Sequence, residues 1–460
     1  MTEPEPNERT PASYLAKFTP RNITQRYRGL LARGDARVLI SAALLSSVGD
    51  WLNTVALLTL AYQFGGNAIS VGILLVMRMI PRLLLQAAAG SLVDRVEGVR
   101  VLIAAQLTMA VIATCFTLLA VVPELSLLYA LVFLLEVANT VARPAFSKLV
   151  LLVLPAEQRG AGNAVLSLSG TAAQFVGSLL GAGLLVVVGA NVLFVLNGLT
   201  YVGIAFAVAR VARSMSIPTV QSEMTTLKVA AETRPGASRG RMSGYRWLMS
   251  RPDVASYVLL TLAISILIQG TIVLFVVRAQ ELDLGDGGSG LFFAMVAVGF
   301  VAGGVIAGIG LSTSRRALYV AALAEAFGAI SLAVFGSVEI VAIALLMLVA
   351  TGAIAEISEV AGITFFQNSL PAEVFGRFFS LFIIASSAGG LGGALIGPLL
   401  QQSLGTGTGF AVLAVPGIVA ATAMIVVTHR SSDPAEGSRV GGVPALEPAA
   451  GSRRALGNPE

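Results

Sequence analysis

The chain has 460 residues, of which 56% are hydrophobic and only 12% are charged, and its formal net charge is +5. Soluble globular domains carry about 25% charged residues, so this composition excludes a water-soluble protein and indicates a chain that folds in lipid. The positive charge does not indicate a nucleic-acid-binding protein, because the basic residues are confined to one side of the predicted membrane topology.

Apolar stretches of about 20 residues recur along the chain, and each is long enough to cross a bilayer as a helix. We therefore predict an all-α membrane protein with twelve transmembrane helices in two pseudo-symmetric bundles of six. In chain order, the predicted helices 1 to 12 span residues 38–63, 69–93, 101–122, 125–147, 161–188, 191–212, 254–278, 289–311, 317–336, 339–366, 378–402 and 409–428.

An internal repeat relates the two halves of the chain. The sequence Leu-Pro-Ala-Glu at 154–157 returns at 370–373, an offset of 216 residues (370 minus 154). At the same offset, the Gly-x-x-x-Gly pattern at 177–181 returns at 393–397. Two similar apolar halves are typical of transporters built from parallel repeats, whose substrate site lies between the halves.

The distribution of charge predicts the orientation in the membrane. Of the 30 Lys and Arg residues, all except Arg78, Arg82 and Arg278 fall on the side that holds both termini and the loops after even-numbered helices. The positive-inside rule makes that side cytoplasmic. We therefore expect a multi-pass protein of the inner (plasma) membrane with its N- and C-termini in the cytoplasm.

The predicted helices and polar gaps divide the chain into five segments. The basic residues of the first segment either fix the topology or form an amphipathic helix on the inner leaflet. The segments are a cytoplasmic basic N-terminal segment (1–36), a first six-helix bundle (37–213), a cytoplasmic central loop (214–252), a second six-helix bundle (253–430) and a disordered cytoplasmic tail (431–460).

Residue usage argues against an enzyme and against a cofactor. Cys115 is the only cysteine and His429 is the only histidine, which disfavours a metal site and excludes an intrachain disulfide. No phosphate-binding Gly-Lys-Ser/Thr loop occurs, so drive by ATP is not expected. We expect no catalytic residues, no metal and no cofactor.

Polar residues within membrane helices are costly and therefore indicate function. On helices 1, 4, 7 and 10 they recur at spacings of three or four, which places each set on one helix face. The residues predicted to line a cavity for protons and substrate are Asp50, Asn53, Glu136, Asn139, Gln269, Glu356 and Glu359.

The charges inside the membrane differ between the halves. In the first half, Arg78, Arg82 and Arg143 are predicted to form ion pairs with the acids; recognition of an anionic substrate by Arg78 and Arg82 is the alternative. In the second half, Glu356 and Glu359 have no base deep in the membrane, and burial without a partner favours the protonated carboxyl. They are candidate proton carriers; direct contact with a cationic substrate, or neither role, remains open.

The loop after helix 2 carries Gly90, Asp94, Arg95, Gly98 and Arg100. This pattern resembles the best-known loop of the major facilitator superfamily, in which a Gly, an Asp four residues later, an Arg and further Gly and basic residues recur. The resemblance implies a loop that latches the cytoplasmic face in one state and releases it in another. The alternative is a plain basic turn that only fixes the topology.

Other segments are similar to bacterial exporters of this superfamily, relatives of macrolide and siderophore efflux proteins. They are Gly49-Asp-Trp51, Arg78-Met-Ile-Pro-Arg82, and Arg143-Pro-Ala145 with the polar loop that follows. Helix 4 lacks the Arg-x-x-Gln-Gly element that accompanies proton movement in many antiporters. Glycine seams on helices 5, 8 and 11 suit the sliding interface that the resemblance implies, although static packing also explains them.

The resemblance implies a monomeric secondary transporter that exports small amphipathic organic compounds by alternating access, in exchange for protons. The expected partners are a small-molecule substrate, protons and the lipid bilayer, with no nucleic acid. One alternative is a flippase for a lysolipid or a lipid-like siderophore. A different class is a non-transporting membrane scaffold or sensor, which the buried carboxylates disfavour.

Overall fold

The computed structural model describes residues 32–154, 158–214, 241–310, 316–370 and 372–430, and nearly all of them are helical. Twelve of these helices are long and apolar enough to cross a membrane, which confirms the predicted fold class. They are α1 (Gly34–Gly65), α2 (Ala68–Arg95), α3 (Gly98–Cys115, continued by a 3-10 turn Phe116–Ala120), α4 (Leu125–Val153), α5 (Arg159–Val188), α6 (Ala190–Ser214), α7 (Pro252–Glu281), α8 (Gly288–Gly310), α9 (Arg316–Ser337), α10 (Val341–Ser369), α11 (Ala372–Leu404) and α12 (Thr406–Arg430).

Several predicted features lie outside the described residues: the N-terminal segment up to residue 31, residues 215–240 of the central loop and the tail from 431 onward. A short helix, Arg241–Ser250, precedes α7.

Short turns separate the helices, and the first turn shows how the sequence sets them. Gly66 has φ 66° and ψ 8°, a left-handed conformation that favours glycine, and its N–H donates to the Tyr62 carbonyl at 2.7 Å. The next residue, Asn67, caps α2 by accepting from the Ser70 N–H at 3.1 Å. The chain therefore reverses within three residues.

Helix packing repeats after six helices. In the first bundle α1 packs on α5 and α6, α2 packs on α4, and α3 packs on α4 and α6. In the second bundle α7 packs on α11 and α12, α8 packs on α10, and α9 packs on α10 and α12. Between the bundles, α5 packs on α8 and α2 packs on α11. In the repeat α5 corresponds to α11 and α8 corresponds to α2, so the two contacts are equivalent. The architecture is that of two pseudo-symmetric six-helix bundles.

The repeat is also kept residue by residue in some helices. Helix α4 spans 125–153 and α10 spans 341–369, so both ends are offset by 216 residues (341 minus 125, and 369 minus 153). This is the offset of the sequence repeat. It makes Arg143 of α4 equivalent to Glu359 of α10, since 359 minus 143 is also 216.

The predicted glycine seams lie within the bundles, not at the interface between them. A Cβ at Gly177 on α5 would meet Trp51 of α1 at 2.7 Å, and one at Gly299 on α8 would meet the Ala353 nitrogen of α10 at 2.7 Å. A Cβ at Gly397 on α11 would lie 2.9 Å from Gly270 of α7. These small residues allow helices to cross closely inside each bundle, as the alternative of static packing predicts.

Candidate functional site

A cavity of about 370 Å³, hereafter the central cavity, lies between the bundles and about midway along the helices. Its walls come from α1, α2, α4, α5 and α6 of the first bundle and from α7 and α8 of the second. Its polar and charged lining residues are Ser47, Asp50, Asn53, Thr54, Arg78, Arg82, Glu136, Asn139, Arg143, Tyr201 and Gln269.

Glu136 is the centre of an ion-pair network in this cavity. Its carboxylate accepts from Arg78 Nε at 3.0 Å and from Arg82 at 2.9 Å, and its side chain is only 3% exposed. The two arginines are four residues apart on α2 and therefore lie on one face. Asn139 Nδ2 donates to the same carboxylate at 3.2 Å, and Arg78 also donates to Thr54 Oγ1 at 3.2 Å. Each oxygen of the carboxylate therefore binds a guanidinium group.

Asp50 has a partner that the sequence did not reveal. The hydroxyl of Tyr201 on α6 donates to the Asp50 carboxylate. Tyr201 is 2% exposed, and its oxygen accepts from Asn197 Nδ2 at 3.3 Å. Asn197 and Tyr201 are four residues apart on helix 6, the same spacing that identified the stripes on helices 1, 4, 7 and 10.

Arg143 lies in the same cavity but, among the described residues, makes no ion pair within 4 Å. The sequence predicts an ion pair for it, as for Arg78 and Arg82. Three arginines and two acids give the cavity a charge of +1 if Asp50 is ionised and +2 if Asp50 is protonated. Arg143, which makes no ion pair, contributes one positive charge to this surplus in either case.

Asn53 and Gln269 both line the central cavity and are equivalent in the repeat, since 269 minus 53 is 216. Asn53 is 4% exposed, and its Oδ1 has no hydrogen-bond partner in the described part of the chain. Each bundle therefore presents an amide at the same depth of the cavity.

Glu356 and Glu359 on α10 do not line the central cavity. Glu356 is half-buried beside α8, where a Cβ built on Gly304 would lie 3.9 Å from its Oε1. Glu359 is exposed. Neither forms an ion pair within 4 Å with any residue that the structure describes.

We call the end of the molecule that carries the loops after odd-numbered helices the acidic end, and the opposite end the basic end. At the acidic end Thr59 Oγ1 donates to the Asp286 carbonyl at 3.1 Å, and Gln63 Nε2 donates to the Asp286 carboxylate at 2.9 Å. Nearby, a Cβ built on Gly72 of α2 would meet Pro398 of α11 at 2.6 Å. These contacts join the two bundles at the acidic end of the central cavity.

At the basic end, the predicted latch lies at the turn between α2 and α3. A Cβ on Gly90 would meet nothing within 4 Å, and Gly98 begins α3. Arg100 pairs with Glu97 at 2.7 Å, while Lys148 of α4 donates to the Val93 carbonyl at 3.0 Å. The side chains of Asp94 and Arg95 lie outside the described part.

Two repeated six-helix bundles with a charged cavity between them define a membrane transport protein. The family model of the Major Facilitator Superfamily matches residues 39–394, and the chain belongs to this superfamily. A search of the curated proteins found no match.

Solved structures share the fold. A bacterial homologue of the iron transporter ferroportin is 17% identical with a TM-score of 0.61, over 90% of this chain and 100% of that one. The nucleoside transporter NupG is 11% identical with a TM-score of 0.63, over 86% and 99%. A bacterial homologue of the human lysosomal transporter Spinster is 13% identical with a TM-score of 0.60, over 86% and 97%. At these identities the likeness establishes the fold alone.

Proposed function

We propose that the protein is a proton-coupled secondary transporter that exports small amphipathic organic compounds by alternating access, as a monomer in the plasma membrane with its basic end in the cytoplasm. Among the families of the superfamily, we place it with the drug, macrolide and siderophore exporters. The central cavity is the observation that carries this proposal, because both bundles contribute to it and polar and apolar side chains meet there.

The lining of the central cavity suits a substrate with an apolar and a polar part. The rings of Trp51 and Phe293 lie 5.5 Å apart, centroid to centroid, and both belong to the lining together with Leu75 and Ile272. The Glu136 network lies in the same cavity. An aromatic or aliphatic group can pack against the rings while a polar group contacts the charged residues.

The acids of α10 support coupling to protons. Glu359 is equivalent to Arg143 in the repeat, so the two bundles present opposite charges at related positions. When the basic ends of the bundles approach, an ionised Glu359 is attracted towards Arg143, and a proton on Glu359 removes that attraction. Inward movement of each proton releases about 2.3 kcal/mol per 100 mV of membrane potential.

Purified protein in lipid vesicles with an imposed proton gradient tests this proposal. A panel of amphipathic acids, amines and neutral compounds, with a labelled lysolipid included, should contain compounds whose efflux depends on the gradient. We expect the double variant Glu356→Gln/Glu359→Gln to lose gradient-driven transport while retaining exchange of substrate across the membrane at equal pH.

Glu339→Gln is the matched control, because Glu339 is an exposed acid at the acidic end. It should transport like the unchanged protein. Full gradient-driven activity in the double variant would contradict the role of the two acids. Movement of the lysolipid alone would replace export with lipid flipping, and no flux of any compound would favour a scaffold or sensor.

A further inference from the structure

A second cavity, hereafter the side chamber, lies within the first bundle and has a volume of about 310 Å³. It is an open recess between α1, α3, α4 and α6, and its polar lining residues are Ser46, Ser47, Gln106, Asn139, Arg143 and Ser147. Three of them, Ser47, Asn139 and Arg143, also line the central cavity. The side chamber and the central cavity are therefore neighbours that share Arg143.

Gln106 on α3 is an unsatisfied polar group in the wall of this chamber. The residue is 6% exposed, and its Oε1 has no hydrogen-bond partner among the described residues. A buried polar atom without a partner costs about 1–3 kcal/mol. Buried amides normally have a protein, water or ligand partner, so Gln106 indicates a group that occupies the chamber.

Arg143 is an exposed side chain that lines both cavities and makes no ion pair within 4 Å among the described residues, because the acids of the central cavity already have partners. Glu136 is bound by Arg78 and Arg82, and Asp50 accepts from Tyr201. Glu356 and Glu359 line neither cavity. A guanidinium in a polar recess with a surplus positive charge is suited to a carboxylate or another planar anion.

We infer that the side chamber and the adjoining part of the central cavity bind an amphipathic organic anion, whose acidic group contacts Arg143 and whose far polar group is bound by Gln106. The inference rests on the proposed function, since it names the charge class of the transported compound. Binding is measured without transport, so the two proposals fail separately.

The two tryptophans of the chain make the test direct. Trp51 lines the central cavity, and Trp247 lies in the short helix before α7, so a Trp247→Phe protein reports from Trp51 alone. This protein, in lipid nanodiscs, is titrated with benzoate, benzamide and benzylammonium, three probes that share a ring and differ in charge. We expect a saturable change in Trp51 emission with benzoate, an affinity about tenfold weaker for benzamide and none for benzylammonium. Binding of benzylammonium as tight as that of benzoate would overturn the inference.

Three variants in the same background locate the site. Arg143→Gln should weaken benzoate binding about tenfold, and Arg143→Lys should retain part of it, because a charge-assisted hydrogen bond is lost or replaced by a point charge. Arg213→Gln, at an exposed arginine near the basic end of α6, should bind benzoate unchanged. Unchanged affinity in Arg143→Gln would contradict the assignment.

Gln106→Leu tests the chamber itself. With Gln106 in place, 4-hydroxybenzoate should bind more tightly than benzoate, and Gln106→Leu should remove this difference and leave benzoate binding intact. If Gln106→Leu keeps the preference for 4-hydroxybenzoate, the chamber does not belong to the site. If benzoate binds as expected but no compound is transported, the proposed function fails and the anion site stands.

Discussion

Glu136→Gln is expected to destabilise the folded protein by about 3 kcal/mol, because it leaves two arginines without their carboxylate inside the membrane. Removal of one partner from a buried ion pair costs about 3–5 kcal/mol, and partial exposure of Arg78 and Arg82, 25% and 36%, places this case at the low end. The unfolding temperature can be followed with a thiol-reactive dye, since Cys115 is the only thiol in the chain.

The control for this variant is Glu97→Gln. Glu97 also pairs with an arginine, Arg100 at 2.7 Å, but the two side chains are 50% and 81% exposed. Exposed pairs contribute little, so the free energy of unfolding should change by less than about 0.5 kcal/mol. Equal unfolding temperatures for Glu136→Gln and the unchanged protein would show that the network does not stabilise the first bundle.

Gly72→Leu is expected to shift the protein towards a state in which the acidic ends of the bundles are apart. A Cβ at this position would already meet Pro398 at 2.6 Å. Overpacking costs about 1–3 kcal/mol, and this cost falls only on the state in which α2 and α11 are in contact. Each 1.4 kcal/mol changes the ratio of the two states about tenfold.

Spin labels on Val122→Cys and Glu339→Cys, in a Cys115→Ala background, measure this shift. Val122 and Glu339 are exposed in the loops of the first and second bundle at the acidic end. The distance distribution should move to longer values in Gly72→Leu. Gly183→Leu is the control, because Gly183 is exposed on α5 and a Cβ there meets nothing within 4 Å. If Gly72→Leu and Gly183→Leu give the same distance distribution, the contact between α2 and α11 does not open at the acidic end.

Local patterns in the sequence predicted the helices and much of the central cavity. Apolar runs of about 20 residues sufficed for twelve helices, because lipid requires every backbone group to bond within its own helix. Spacings of three or four placed polar residues on common faces, and the structure brings Asp50, Asn53, Glu136, Asn139 and Gln269 to one cavity. Those spacings are properties of single helices and need no knowledge of packing.

Features that depend on contacts between distant helices could not be predicted in this way. The bond from Tyr201 to Asp50 joins residues 151 positions apart and depends on the packing of α1 against α6. The same limit applies to the glycine seams, whose spacing is equally suited to contacts within a bundle and between bundles. It also applies to Arg143. Among the described residues it makes no ion pair, because Glu136 and Asp50 have their partners on other helices.

We propose that the two bundles expose the central cavity alternately to the two sides of the membrane. A single cysteine at Gln269, which is half-buried in the central cavity, tests it in the Cys115→Ala background with a thiol reagent that does not cross membranes. Glu339→Cys at the acidic end and Arg213→Cys near the basic end are the controls, and each marks one side of the membrane. We predict that Gln269→Cys reacts from outside in whole cells and from the cytoplasmic side in inverted vesicles, while each control reacts from one side. Reaction of Gln269→Cys from one side only would contradict alternating access.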